Sequence, residues 1–242
     1  MSMIIGHRGA RNLWPENSLT GFRNLLDFPV EGVEFDVHLT KAGEVLVIHD
    51  PTLERTTDGT GRVADLSPGA HHSVVLKGSD GDTIPTLDEV LEIFAATDHE
   101  IHLELKTDAD NLPYAGGLEE RVLEAIDRHG VAARTVVTSF SHDVLARLKE
   151  LRPDQRRLAS MHLPEAERLG LEPGLRMLLD LADIIAIEKT LLSDNWATIM
   201  ALVPADRLGV WTPNDEDELA GWLSRPLRQV TTDRPDLALK RR

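Results

Sequence analysis

Short apolar runs alternate with helical patterns from one end of this chain to the other, and that alternation restricts the fold most tightly. Eight runs read as strands: Met3–His7, Val33–Leu39, Ile101–Lys106, Thr135–Phe140, Arg157–Met161, Ile184–Glu188, Arg207–Thr212 and Gln229–Asp233. Helical periodicity between them is clearest over Leu87–Ala95, Gly117–His129, Asp143–Leu151 and Glu216–Leu223. In the first of these, Leu87, Val90, Leu91 and Phe94 recur at helical spacing, and Thr86 is placed as its N-cap. Strands alternating with helices make a parallel sheet with crossover helices. Eight such units in 242 residues predict one domain over 1–242, a (β/α)8 or TIM barrel. An open doubly wound sheet would want a glycine-rich turn after the first strand, where His7-Arg8-Gly9-Ala10 stands instead.

One run breaks the rhythm. Glu44–His49 follows the second strand after only Thr40-Lys41-Ala42-Gly43, too short for a parallel crossover. It must return antiparallel as a hairpin, which sets His49 opposite Glu34 or Phe35. Residues 51–85 then hold five glycines and three prolines with little periodicity. They are expected to form a small insertion over the C-terminal ends of the strands, where barrel enzymes carry their chemistry.

Lysine and arginine number 26 against 41 aspartates and glutamates, a net charge of −15. That balance argues against nucleic acid or an anionic membrane as partner, and no basic amphipathic segment would dock a bilayer. An anionic ligand could approach only where a cation and basic side chains reverse the local potential. Without cysteine there are neither disulfides nor thiolate metal sites. No signal peptide is evident, and no run approaches the roughly 18 apolar residues of a spanning helix, so a cytoplasmic protein is expected.

Polar residues inside the strands suggest chemistry. Alternation turns Glu34 and Asp36 to one side of their strand, with Phe35 opposite. Two half-buried carboxylates side by side repel each other, and a hard cation between them removes the difficulty. His102, Glu104 and Lys106 share one face of the next barrel strand, with Ile101, Leu103 and Leu105 on the other. If the polar row faces the lumen, Glu104 completes an all-oxygen set for one divalent cation, Mg²⁺ or Ca²⁺. Lys106 could reach a phosphate oxygen, or simply pair with Glu104. His7 and His49 each end a strand beside a charged neighbour and suit an acid/base pair. Arg8 is placed to contact phosphate, with Glu16 or Asp233 as structural alternatives. Trp211 is either core filler or a wall for a small polyol. Asn17 is expected to cap the first helix. His38 and His102 are assigned packing or hydrogen bonding, and His142 and His162 no role.

These segments resemble a known family. His7-Arg8-Gly9, Pro15-Glu16-Asn17-Ser18, the Glu34–Leu53 stretch with His49-Asp50, Glu104 to Lys106, Trp211-Thr212-Pro213-Asn214 and Thr232-Asp233-Arg234-Pro235-Asp236 look like the signatures of glycerophosphodiester phosphodiesterases. The resemblance implies a metal-containing barrel with an insertion after the second barrel strand. It also implies Glu34, Asp36 and Glu104 as metal ligands, His7 and His49 as acid and base, and Arg8 and Lys106 on phosphate. Pro213 replaces a more usual valine, and Ile187-Glu188-Lys189 is more charged than the family pattern. The expected reaction is hydrolysis of a small glycerophosphodiester to sn-glycerol 3-phosphate and an alcohol. A lysophospholipase D-like activity on the same centre and a non-catalytic phosphate- or metal-binding barrel are the alternatives. The oligomeric state is not legible.

Overall fold

A computed structural model describes residues 1–242. Nine strands form one sheet: β1 Met3–His7, β2 Gly32–Leu39, β3 Val45–Val47, β4 Glu100–Leu105, β5 Thr135–Ser139, β6 Arg157–Met161, β7 Ile184–Glu188, β8 Leu208–Trp211 and β9 Gln229–Thr232. All pairings except β2–β3 are parallel, and β1 bonds to both β2 and β9, so eight strands close on themselves. The chain is a TIM barrel. The strands agree with the sequence expectation to within one residue at each end, apart from the shorter β3. That agreement reflects how sharply an alternating pattern marks a strand.

Ten helices lie outside the barrel: α1 Leu19–Leu25, α2 Leu87–Ala95, α3 Leu118–Arg128, α4 His142–Leu151, α5 Leu163–Leu169, α6 Leu171–Leu181, α7 Lys189–Asp194, α8 Trp196–Leu202, α9 Glu216–Leu223 and α10 Pro235–Lys240. None is long and apolar enough to cross a membrane. Thr86 starts α2 with a full capping box, its hydroxyl accepting from the Glu89 amide while the Glu89 carboxylate accepts from Thr86 N. The cap of α1 is Ser18, which accepts from Gly21 N, and not Asn17. Asn17 instead sits at φ 56 and turns its amide toward the barrel.

The main core fills the space between strands and helices. Phe22 of α1 packs edge-on against Phe35 of β2 and Phe94 of α2 at 5.5 and 5.9 Å, tying those helices to the strand that carries Glu34 and Asp36. Inside the barrel a smaller apolar cluster, Val136, Leu158, Ile184 and Ala186 with Trp211, lines one side of the lumen. Its floor is ionic: the buried Glu100 carboxylate accepts from His102 Nε2 at 2.7 Å and from Arg156 and Arg228 at 2.8 Å. Gly32 opposite it is obligatory, because a Cβ there would lie 2.5 Å from the Glu100 carbonyl oxygen.

The hairpin pairs Leu39 with Val45 and Val37 with Val47. Ile48 N donates to Asp36 O at 3.0 Å, so the same register brings His49 opposite Phe35. Residues 51–85 contain two short 3₁₀ turns and bury Leu53, Val63, Val74, Leu76 and Ile84 against Leu46 and Ile48.

Candidate active site

Glu34, Asp36 and Glu104 converge at the C-terminal mouth of the barrel, with one carboxylate oxygen from each within 4.8 Å of the others. The parallel register puts Asp36 beside Glu104, and the β pleat turns all three inward. All are buried, and Glu34 Oε1 has no hydrogen-bond partner. Burial, then the neighbouring charges of Asp36 and Glu104, push the Glu34 carboxyl well above its usual range. Burial raises Glu104 likewise. Asp36 moves the other way: burial opposes its ionisation, but Lys106 and Arg8 overcome it. A buried orphan oxygen in a set of three acids, two of which resist ionisation, fits a divalent oxygen-loving cation.

In the protein alone, side-chain cations sit among these acids. Lys106 Nζ lies 2.9 Å from Asp36 Oδ1 and also donates to Glu104. Arg8 Nε lies 3.3 Å from Asp36 Oδ2, and Arg8 Nη1 donates to Glu16 at 3.1 Å. Glu16 is therefore a partner of Arg8, while Asp233 pairs with Arg11. Asn17 Nδ2 donates to Asp36 Oδ2 at 3.0 Å, which accounts for its turn inward. The loop that delivers Arg8 is strained, with Arg8 and Ala10 at φ 50 and 67. A left-handed non-glycine residue costs about 1–2 kcal/mol, a strain of the kind that collects at functional loops.

Each histidine is held by an aspartate. His7 Nδ1 donates to Asp233, which lies at 0% exposure, and Asp233 in turn accepts from Asn214 at 2.6 Å. His49 Nδ1 donates to Asp50 at 2.6 Å. With Nδ1–H committed to a carboxylate, each ring keeps Nε2 for the other side, and His7 Nε2 is 3.7 Å from Glu34. Burial lowers the His7 pKa, and it lowers His49 to about 4 against the pull of Asp36. Both imidazoles are neutral at pH 7. Behind His49, His38 Nε2 donates to the His49 carbonyl at 2.9 Å, so its Nδ1 must accept from Tyr114 Oη at 2.7 Å. Arg55 bridges the two halves, donating to Asp50 at 2.5 Å and to Glu16 at 2.8 Å.

Trp211 donates Nε1–H to Ala186 O at 3.2 Å and meets Phe140 edge-on at 5.5 Å. Its ring lines a lumen cavity of about 310 Å³ that also holds His7, Arg8, Glu34, His49 and Lys106. All eight residues singled out from the sequence thus meet at one mouth. Reasoning from sequence missed the supporting roles: Asp50, Asn17 and Asn214 stood inside the family-like segments and Arg55 outside them, but nothing local showed what each would hold. Asp233 was visible as the close of a strand, within a family-like segment and as one possible partner of Arg8, but not as the support of His7.

A closed parallel barrel with clustered acids, paired cations and carboxylate-held histidines at its C-terminal mouth defines a phosphoric-ester hydrolase. The profile of the glycerophosphoryl diester phosphodiesterase family matches residues 7–237. A glycerophosphodiester phosphodiesterase of Bacillus altitudinis is 31% identical, with 99% of this chain and 98% of the relative covered. That of Caldanaerobacter subterraneus is 34% identical over 157 residues, 63% of each chain. A crystal structure of a putative glycerophosphoryl diester phosphodiesterase from Agrobacterium tumefaciens superposes with a TM-score of 0.91 at 27% identity, covering 99% of this chain and 96% of that one. The chain belongs to the glycerophosphoryl diester phosphodiesterase family, and it is an enzyme of that activity.

Proposed function

We propose that the protein hydrolyses small glycerophosphodiesters to sn-glycerol 3-phosphate and an alcohol, using one divalent cation, Mg²⁺ or Ca²⁺. The carrying observation is the convergence of three buried carboxylates and two aspartate-held imidazoles on one cavity. Glu34, Asp36 and Glu104 hold the cation, which when bound supplies a Lewis acid for a phosphate oxygen. Arg8 and Lys106 bind the phosphoryl oxygens and offset the charge that grows on them. His7 and His49 carry the protons: one imidazole takes a proton from the attacking oxygen while the other gives one to the departing alkoxide. Asp233 and Asp50 fix the tautomer in which Nε2 does this work. An anionic diester near either ring raises its pKa, so binding itself helps to charge the acid. Trp211 supplies an apolar wall for the glycerol carbons.

The test is release of glycerol 3-phosphate from glycerophosphoglycerol by the purified protein. Chelation should abolish it, and added Mg²⁺ or Ca²⁺ should restore it. His7→Ala and His49→Ala should each lower kcat by roughly 10²–10⁴-fold with the circular dichroism unchanged. Turnover indifferent to chelation, or a near-normal rate in either variant, contradicts the assignment.

A further inference from the structure

A second cavity, about 620 Å³, opens beside the lumen above β4 and β5, against α4 and α5. The two share His49, Glu104, Lys106 and Phe140, so they meet at the acid/base and metal-ligand candidates. A phosphodiester has two arms on one phosphorus. With phosphorus at the shared wall, each cavity receives one arm.

Their ionic linings differ. Beyond the shared residues, the lumen presents Glu34 with Arg8 and Arg11, and each arginine is paired with a buried carboxylate, Asp36 and Asp233 in turn. The outer cavity presents Asp108, Asp143 and Glu165 against Arg168. Two of its three hydroxyls are engaged: Ser139 Oγ donates to Leu105 O at 2.9 Å, and Ser141 Oγ accepts from Val144 N as the cap of α4. Asp108 accepts from the amides of Asp110 and Leu112 at 2.9 Å. Glu165 is 7% exposed, and its Oε1 is 2.7 Å from His142 Nε2, but its Oε2 has no partner. Asp143, at the first turn of α4, is exposed to the cavity with its charge uncompensated by any ion pair. Beside the polar groups of Thr107 and Asn111, the outer cavity offers a ligand an excess of negative charge, and a buried unpartnered carboxylate oxygen calls for a donor.

Resting on the hydrolase reading above, we propose that the outer cavity receives the departing alcohol and that Asp143 and Glu165 select alcohols carrying an ammonium group over neutral polyols. The arm that remains on the phosphate occupies the lumen, beside Arg8 and Trp211. The ammonium of the alcohol faces the carboxylates, and Phe140 on the shared wall offers a ring face to its carbons.

Two diesters with the same glycerol phosphate arm test this: glycerophosphoethanolamine and glycerophosphoglycerol. Wild-type protein should favour the first in kcat/KM. Asp143→Asn with Glu165→Gln should cut that value about tenfold, the scale of a unit charge several ångströms away at intermediate dielectric. The loss should fall in KM, and the neutral diester should stay within about twofold. Asp143→Asn alone, at a solvent-exposed helix start, should give a smaller loss of the same kind, and raised salt should shrink the preference. Equal values for both diesters in wild type, or equal losses on both in the variants, overturn the subsite while leaving the hydrolase reading intact. Hydrolysis of neither diester by wild-type protein overturns that reading and the subsite with it.

Discussion

At the scale of single residues, the site is a set of charges that hold one another in place. His7 and His49 lie 42 positions apart in sequence, yet each has the same support, an aspartate on Nδ1. Asp233 shows what such a support is worth. Burial would raise its carboxyl, but the hydrogen bond to His7 and the charge of Arg11 hold it at about 2. The unfolded carboxyl titrates near 3.9, so below that pH the unfolded chain binds the extra proton. The stabilisation is therefore complete above about pH 5 and is lost as pH falls toward 2, with about 1 kcal/mol gone by pH 3. Asp233→Asn removes the titrating group. A carbon-13 NMR titration of the side-chain carboxyls should show in the wild type a midpoint at about 2 that is missing from the variant. An Asp233 midpoint near the ordinary 3.9 would mean that the His7–Asp233 bond does not bias the carboxyl.

At the scale of elements, β2 does most to build the mouth, and its position depends on close approach at its first residue. A Cβ on Gly32 would strike the Glu100 carbonyl on β4 and, at 2.8 Å, Ile5 on β1. Gly32→Ala should cost about 1–3 kcal/mol, the usual penalty of overpacking. A lowered urea midpoint with an unchanged slope would show it; a wild-type midpoint would mean the strands can separate without cost. Strands were the legible part of this protein because a two-residue period fixes both their bounds and which side chains share a face. Glu34, Asp36, Glu104 and Lys106 followed from that period, and the short turn before β3 brought in His49. Short helices such as α7 and α8 carry too few turns for a clear period. Asn17 illustrates another limit: its type suits a cap, but only the fold reveals that Asp36 stands within reach and leaves capping to Ser18. Partners such as Asp233 and His7, separated by 226 positions, are set by barrel closure, which no local pattern encodes.

At the scale of the whole molecule, a chain of net charge −15 gathers three of its acids into a buried cluster at one end of its barrel. Folding without a cation must therefore work against their repulsion. Glu34 bears most of it, since burial and both neighbouring carboxylates push its pKa up, whereas Lys106 and Arg8 make Asp36 a stabilising anion. The two residues should respond oppositely to neutralisation. In chelator, Glu34→Gln should raise stability by about 1 kcal/mol through loss of like-charge contact, and Asp36→Asn should lower it by leaving two cations under-compensated. A divalent cation that binds only the folded cluster stabilises wild type by RT ln(1 + [L]/Kd), about 2.7 kcal/mol at a hundredfold excess over Kd. Thermal melts in chelator and in excess Mg²⁺ or Ca²⁺ would read this directly: wild type should gain several degrees, while both variants gain little. The same rise in all three proteins would place the bound cation elsewhere on this acidic surface. Reduced stability of Glu34→Gln in chelator would mean that Arg8 and Lys106 already satisfy all three acids, leaving no charge for a cation to relieve.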